Sequence, residues 1–142
     1  MQRRRLAPVL VAVIASLVLS GCGGDKATVR AFAGDWQAHA RSLHITRSGD
    51  AREWFSLGLS DVVVELRFHL TRPSGTPHEA AATATLTAVR IADKSVFAAA
   101  HSPPRVGQSF RIRLRDGVVI EPLTGANYCR PGVDWPKAGC GA

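Results

Sequence analysis

The sequence predicts an all-β domain, a single small antiparallel barrel or sandwich of about six to eight strands that follows a cleaved signal peptide. Three observations carry this. From Gly34 onward, short segments alternate apolar and polar residues with a period of two and are rich in Val, Ile and Thr. Turn residues separate them, Asp116-Gly117 being the sharpest hairpin signal. No stretch sustains a helical period, and Val29 to Ala33 supplies one helical turn at most. Strands with one apolar face and two open edges must pack as a sandwich or close as a barrel, and closure hides both.

The first 22 residues set the address. Arg3, Arg4 and Arg5 form a positive segment, Leu6 to Leu19 is almost wholly apolar, and Leu19-Ser20-Gly21-Cys22 ends it with small residues. A membrane-spanning helix needs about 20 apolar residues, and Gly21 to Asp25 ends this run early. The segment resembles the bacterial lipoprotein signal, whose lipobox closes on Gly-Cys. That resemblance implies cleavage between Gly21 and Cys22 and a diacylglyceryl group on Cys22, with acyl chains of the palmitate kind. The expected organisation is a signal peptide over 1–21, a lipidated tether over 22–33 and a β domain with a disulfide-pinned tail over 34–142. The expected location is the extracytoplasmic face of the cell membrane, held there by the lipid on Cys22, since two acyl chains anchor stably where one does not.

Charge and cysteine content narrow the partners. The 142 residues carry 18 basic and 11 acidic side chains for a net charge of +7, and three of the arginines leave with the signal. A mature charge of +4 is too small for a nucleic-acid footprint. Anionic lipid head groups or wall polymers are the better electrostatic neighbours. With Cys22 acylated, Cys129 and Cys140 remain, and an even pair in an exported domain reads as a disulfide. Neither has a histidine at zinc-ligand spacing, so no metal is expected.

Each element then follows in order. Trp36 to Thr46 reads as one strand with a phase break, because Trp36, Ala38 and Ala40 share one parity while Leu43 and Ile45 share the other; a β-bulge near Arg41-Ser42 would restore the phase. Ala51 to Leu57 is the second strand, with Trp54 expected inward beside Trp36. Asp61 to Thr71 is the clearest, with Val62, Val64, Leu66, Phe68 and Leu70 on one side. Arg72 to His78, with two prolines and a glycine, is expected to be a loop. Ala80 to Ile91 is the fourth strand, and Ala92 to Gly107 a long connection. Gln108 to Arg115 is the fifth, with Phe110, Ile112 and Leu114 inward and Arg111, Arg113 and Arg115 outward. Asp116-Gly117 turns the chain into Val118 to Leu123, and Thr124 to Ala142 is expected to be an irregular tail held by the disulfide, Tyr128 and Trp135.

Gly34-Asp35-Trp36 resembles the Gly-X-Trp signature of the calycins, the lipocalin and avidin-like barrels, which implies a closed barrel and a small-ligand cavity. The arginine of that family's closing stack has no assignable counterpart on the last strand. Trp36, His39 and Arg41, with Tyr128-Cys129 and Cys140-Gly141-Ala142, also resemble the small secreted lipoproteins of actinobacteria, a likeness that implies an address and no mechanism.

The chain holds no G-x-S-x-G, H-E-x-x-H, Walker or dinucleotide motif, and pairing Cys129 with Cys140 removes a thiol nucleophile, so an enzyme is not expected and no cofactor is required. The expected function is a lipid-anchored envelope protein that binds a small molecule or an envelope component, with no nucleic-acid partner. Trp36, His39 and Arg41 are the candidate ligand-binding residues, against the alternative of a solvated strand face. Arg111, Arg113 and Arg115 bring three like charges to one face and are the candidate contact to an anionic surface, against the alternative of neutralisation across the sheet by Glu65 or Glu121. The competing function is a filled-core interaction protein that docks a partner through this basic face. Five scattered histidines lack ligand spacing for a metal.

Overall fold

The computed structural model describes residues 25–56, 63–93, 102–133 and 139–141. The expected signal peptide over 1–21, with Cys22, Asp61, Val62, His101 and Trp135, lies outside the described residues. A 3-10 helix, Val29–Phe32, leads into eight strands: β1 Gly34–Ala38, β2 Arg41–Ile45, β3 Asp50–Ser56, β4 Val63–Gly75, β5 Glu79–Ile91, β6 Ser109–Arg115, β7 Val118–Glu121 and β8 Ala126–Tyr128. They form one antiparallel sheet in sequence order. Gln37 of β1 and Cys129 after β8 exchange two backbone hydrogen bonds, of 2.7 and 2.9 Å, which bring the sheet round upon itself. The fold is therefore all-β as expected, a nearly closed barrel of eight strands.

The apolar parity of each strand faces the interior. Val64, Leu66, Phe68 and Leu70 of β4 and Ala80, Ala82, Ala84 and Leu86 of β5 are all buried, with Phe68 opposite Leu86 and Leu70 opposite the small Ala84. Phe110 meets Phe68 edge to face at 5.3 Å. At Asp116-Gly117 both residues adopt positive φ, 52° and 77°, which is the type I′ geometry the dipeptide favours.

Several elements differ from expectation, each for a local reason. The phase break after Ala38 is a two-residue turn and not a bulge. Ala38 pairs with Arg41, Ala40 takes φ of 52°, and the strand reverses direction, so Trp36 and Ala38 share the interior with Arg41, Leu43 and Ile45. Trp54 points outward and is 41% exposed, because Ala51 and Phe55 claim the inward parity of β3 and carry Glu53 in with them. The segment after Thr71 stays in the sheet: Arg72 and Pro73 sit in a register shift between Thr71 and Ser74, after which Ser74 and Gly75 pair again with Ala81 and Ala80. The tail holds β8, which supplies the buried Ala126 and Tyr128. The packed domain begins inside the segment expected to be tether, since Ala27 and Phe32 are buried and the Ala27 N–H donates to the Gly75 carbonyl at 2.9 Å.

The seam between β1 and β8 is held by one stack. The Trp36 indole N–H donates to the Phe32 carbonyl at 2.8 Å, fixing the 3-10 helix under the barrel. The Arg130 guanidinium lies 3.7 Å over the Trp36 ring and donates to the Ala33 carbonyl at 2.9 Å. Arg130 lies just beyond the end of β8, so this stack spans the seam from β1 to the chain leaving the last strand. The φ of 125° at Gly34 favours glycine, and a Cβ there would lie 2.0 Å from the Arg130 Nη1 and push the guanidinium from its place. Cys129 and Cys140 are bonded across a Cα separation of 5.8 Å, and Asn127 bridges Gly141, so the tail is fastened to the same seam.

The two indoles of the described residues separate the faces of the sheet by energy. Trp36→Ala is expected to lower unfolding free energy by about 3–5 kcal/mol, and Trp54→Ala by no more than about 0.5 kcal/mol, as read from urea midpoints. Equal losses would show that Trp54 is part of the core.

Candidate functional site

The 3-10 helix covers one end of the barrel. At the far end lie the β1–β2 turn and the β7–β8 turn, and there the interior becomes polar. Glu53 of β3 and Glu121 of β7 are both 0% exposed. The Tyr128 hydroxyl donates to Glu53 Oε1 at 2.5 Å. The Thr124 hydroxyl stands 3.0 Å from the same oxygen and in short contact with Glu121 Oε2.

A hydroxyl has one proton and can donate to only one of these carboxyls, so the second contact requires a proton on a carboxyl. Glu121 accepts backbone N–H groups from Leu123 at 2.6 Å and Thr124 at 2.9 Å, which stabilise its ionised form. Glu53 has no backbone donor among the described residues. The count closes with Glu53 protonated, its O–H serving Thr124 while Thr124 serves Glu121. Burial and then the neighbouring Glu121 charge push the Glu53 carboxyl up to about 8, against the opposing pull of Tyr128, Thr124 and Arg41. Glu121 is also raised, by burial first. Burial and the Glu53 charge raise the Tyr128 phenol, keeping it a donor at neutral pH.

Arg41 opens β2 on the inner face, its guanidinium 4.6 Å over the Phe55 ring. It sits opposite Phe55 while Leu43 sits opposite Glu53, so Arg41 and Glu53 are diagonal neighbours across the β2–β3 ladder. Arg41 Nη1 and Glu53 Oε2 are both buried without a hydrogen-bond partner. Such atoms cost roughly 1–3 kcal/mol each when left unmade. The two carboxyls form an acid pair, yet in this arrangement no solute reaches them, and the cluster ties β3 to the β7–β8 turn.

Of the predicted ligand-binding residues, the structure brings Arg41 to this cluster. Trp36 is committed to the seam, and His39 is exposed in the β1–β2 turn. Glu53, Glu121, Thr124 and Tyr128 were missed. The readable signal was parity: Glu53 falls between Ala51 and Phe55, and Glu121 follows Val119 by two, so each carboxyl occupies an inward phase. Glu121 consequently does not neutralise the basic row from outside.

Among the described residues, two depressions lie on the outer wall. One, of about 480 Å³, is lined by Ser74, Glu79, Ala81, Arg113, Arg115 and Ile120 among others. Arg111, Arg113 and Arg115 are all exposed, the latter two in its lining. Arg111 donates to the Ser74 hydroxyl at 3.0 Å, and Arg115 lies 3.5 Å from Asp116 and 3.9 Å from Glu79. The other, of about 400 Å³, lies on β1–β3 and is lined by Asp35, Gln37, Ser42, His44, Arg52 and Trp54, with the backbone of the buried Trp36 and Leu43 beneath. Beside it Glu65 accepts from Arg52 at 3.1 Å and Arg67 at 3.0 Å, and the Arg67 hydrogen bond in particular holds its carboxyl below the usual range. Among the described residues no three His, Cys, Asp or Glu side chains converge as a metal ion would require. In comparisons with known proteins, no family model, curated protein or solved structure matches this chain.

Because the Glu53 carboxyl is raised from 4.5 to about 8 on folding, the native state binds more protons than the unfolded state between those values. Stability must therefore fall as pH rises across that window and level off above it. Glu53→Gln is expected to flatten this decline, measured as urea midpoints from acid to mildly alkaline pH. A decline of unchanged slope would place the proton elsewhere.

Proposed function

We propose that the protein is a lipid-anchored, non-enzymatic envelope lipoprotein that binds an envelope component against the outer wall of a filled barrel. The address comes from Arg3 to Arg5, the apolar run and Cys22. The observation that carries the mode of binding is the packed interior. Phe32, Trp36, Phe55, Leu66, Phe68, Ile112 and Tyr128 fill it at 2% exposure or less, whereas the two depressions lie outside. A barrel filled in this way presents its wall and not a pocket. The sealed state of Glu53 and Glu121 supports the absence of catalysis, since a general acid must reach the proton it moves.

A second reading rests on the unpartnered Arg41 Nη1 and Glu53 Oε2. A small molecule offering an acceptor to the first and a donor to the second would satisfy both, after side chains at the far end move aside.

Intact mass and sedimentation test these readings together. Protein extracted from its own membranes is expected to show, when denatured, a diacylated Cys22 and a mass two hydrogens short for Cys129 and Cys140. It is expected to co-sediment with isolated cell-wall sacculi and to carry no extra mass in its native state. An intact signal would refute the address, failure to sediment would refute wall binding by the outer face, and a retained small ligand would favour the second reading.

A further inference from the structure

Glu53 and Trp54 are neighbours on β3, and each faces the side its chemistry disfavours. A one-residue slip would bury the indole and expose the carboxylate, but Ala51, Phe55 and the pairing to β2 and β4 hold the register. Places where a sequence breaks such a local rule are where function concentrates. Glu53 is occupied by the interior cluster. Trp54 has no contact of comparable value, and its indole N–H has no acceptor among the described residues.

The surroundings of the ring specify what it can hold. Cα pairing sets Gln37, Ser42, Trp54 and Glu65 in one row across four strands, with Asp35, His44, Arg52 and Arg67 in the next. The outer side chains of these rows lie on one face of the sheet. The Gln37 amide and Ser42 hydroxyl make no side-chain hydrogen bond among the described residues, so three polar groups, counting the indole N–H, are uncommitted beside an exposed aromatic face. The charges nearby are already engaged: Arg52 and Arg67 with Glu65, and His44 with Asp35 at 2.6 Å. A phosphate would meet an arginine already shared with a carboxylate, and an acyl chain would meet one apolar ring in a polar floor. A neutral polyhydroxylated ring matches on both counts, with its C–H face on the indole and its hydroxyls on the amide, hydroxyl and N–H donors and acceptors.

We propose that the outer face of β1–β3 around Trp54, Gln37 and Ser42 is a glycan-binding site that seats a pyranose ring of an envelope polysaccharide on the Trp54 indole. This rests on the reading that the barrel binds through its outer wall, and it names the wall and the ligand class.

The test uses the acylated mature protein in a detergent without a sugar head group, with β-1,4-linked glucose and N-acetylglucosamine tetramers and an α-linked mannose tetramer as probes at millimolar concentration. Saturation-transfer NMR is expected to mark ring C–H protons of at least one tetramer. Affinity should fall about tenfold or more, equivalent to about 1.4 kcal/mol, in Trp54→Ala and several-fold in Gln37→Ala. Trp54→Phe should retain part of it and Arg105→Ala, at an exposed position in the β5–β6 connection, should leave it unchanged. Equal binding by wild type and Trp54→Ala would overturn the site. So would the absence of saturation transfer to all three tetramers from a wild-type protein that still sediments with sacculi, an outcome that leaves outer-wall binding intact. A wild type that binds neither tetramers nor sacculi would overturn both.

Discussion

The stack of Arg130 on Trp36 is the contact on which this barrel depends. A meander of eight strands closes only if its first and last strands meet, and here they meet across few backbone hydrogen bonds. The indole joins the 3-10 helix to β1, and the guanidinium joins β1 to the chain leaving β8. Gly34 leaves room for that approach, and the Cys129–Cys140 bond holds the segment carrying Arg130 in place. Desolvated cation–π contacts are worth about 2 kcal/mol, and this one also shields the end of the core. Opening it would expose Phe32 and Trp36 together.

Closure at that end leaves the far end to a different solution. The Glu53, Thr124, Glu121 and Tyr128 cluster spans from β3 to the β7–β8 turn, so a polar network fastens the strands where backbone pairing is thinner. A network of this kind specifies position only while every member is satisfied. One proton links its two carboxyls through Thr124, and Arg41 Nη1 and Glu53 Oε2 are the two atoms left unmet on the inner face. The same strand turns Trp54 outward. The interior acid and the exposed indole are thus two consequences of one register, which puts a sealed carboxyl and an exposed aromatic ring on opposite faces of adjacent residues.

Much of the fold was legible because period-two alternation reports burial directly. Val64 to Leu70, Ile112 and Leu114 took their expected faces, and Asp116-Gly117 took its expected turn, since these depend on side chains close in sequence. The polar cluster was harder to read. Its residues are up to 75 positions apart, and a carboxylate within an alternating strand is ordinarily taken as evidence for the solvent face.

The sequence by itself determined the fold class, the apolar face of the central strands and the pairing-competent cysteines, because each is written in local spacing and residue chemistry. Tertiary structure alone decided that Ala38 and Arg41 flank a turn, that Glu53 enters while Trp54 leaves, that β8 comes from the tail, and that Arg130 closes the barrel. These outcomes turn on register and on contacts between distant strands. A strand's two faces compete as wholes, and only the closed sheet shows which one won.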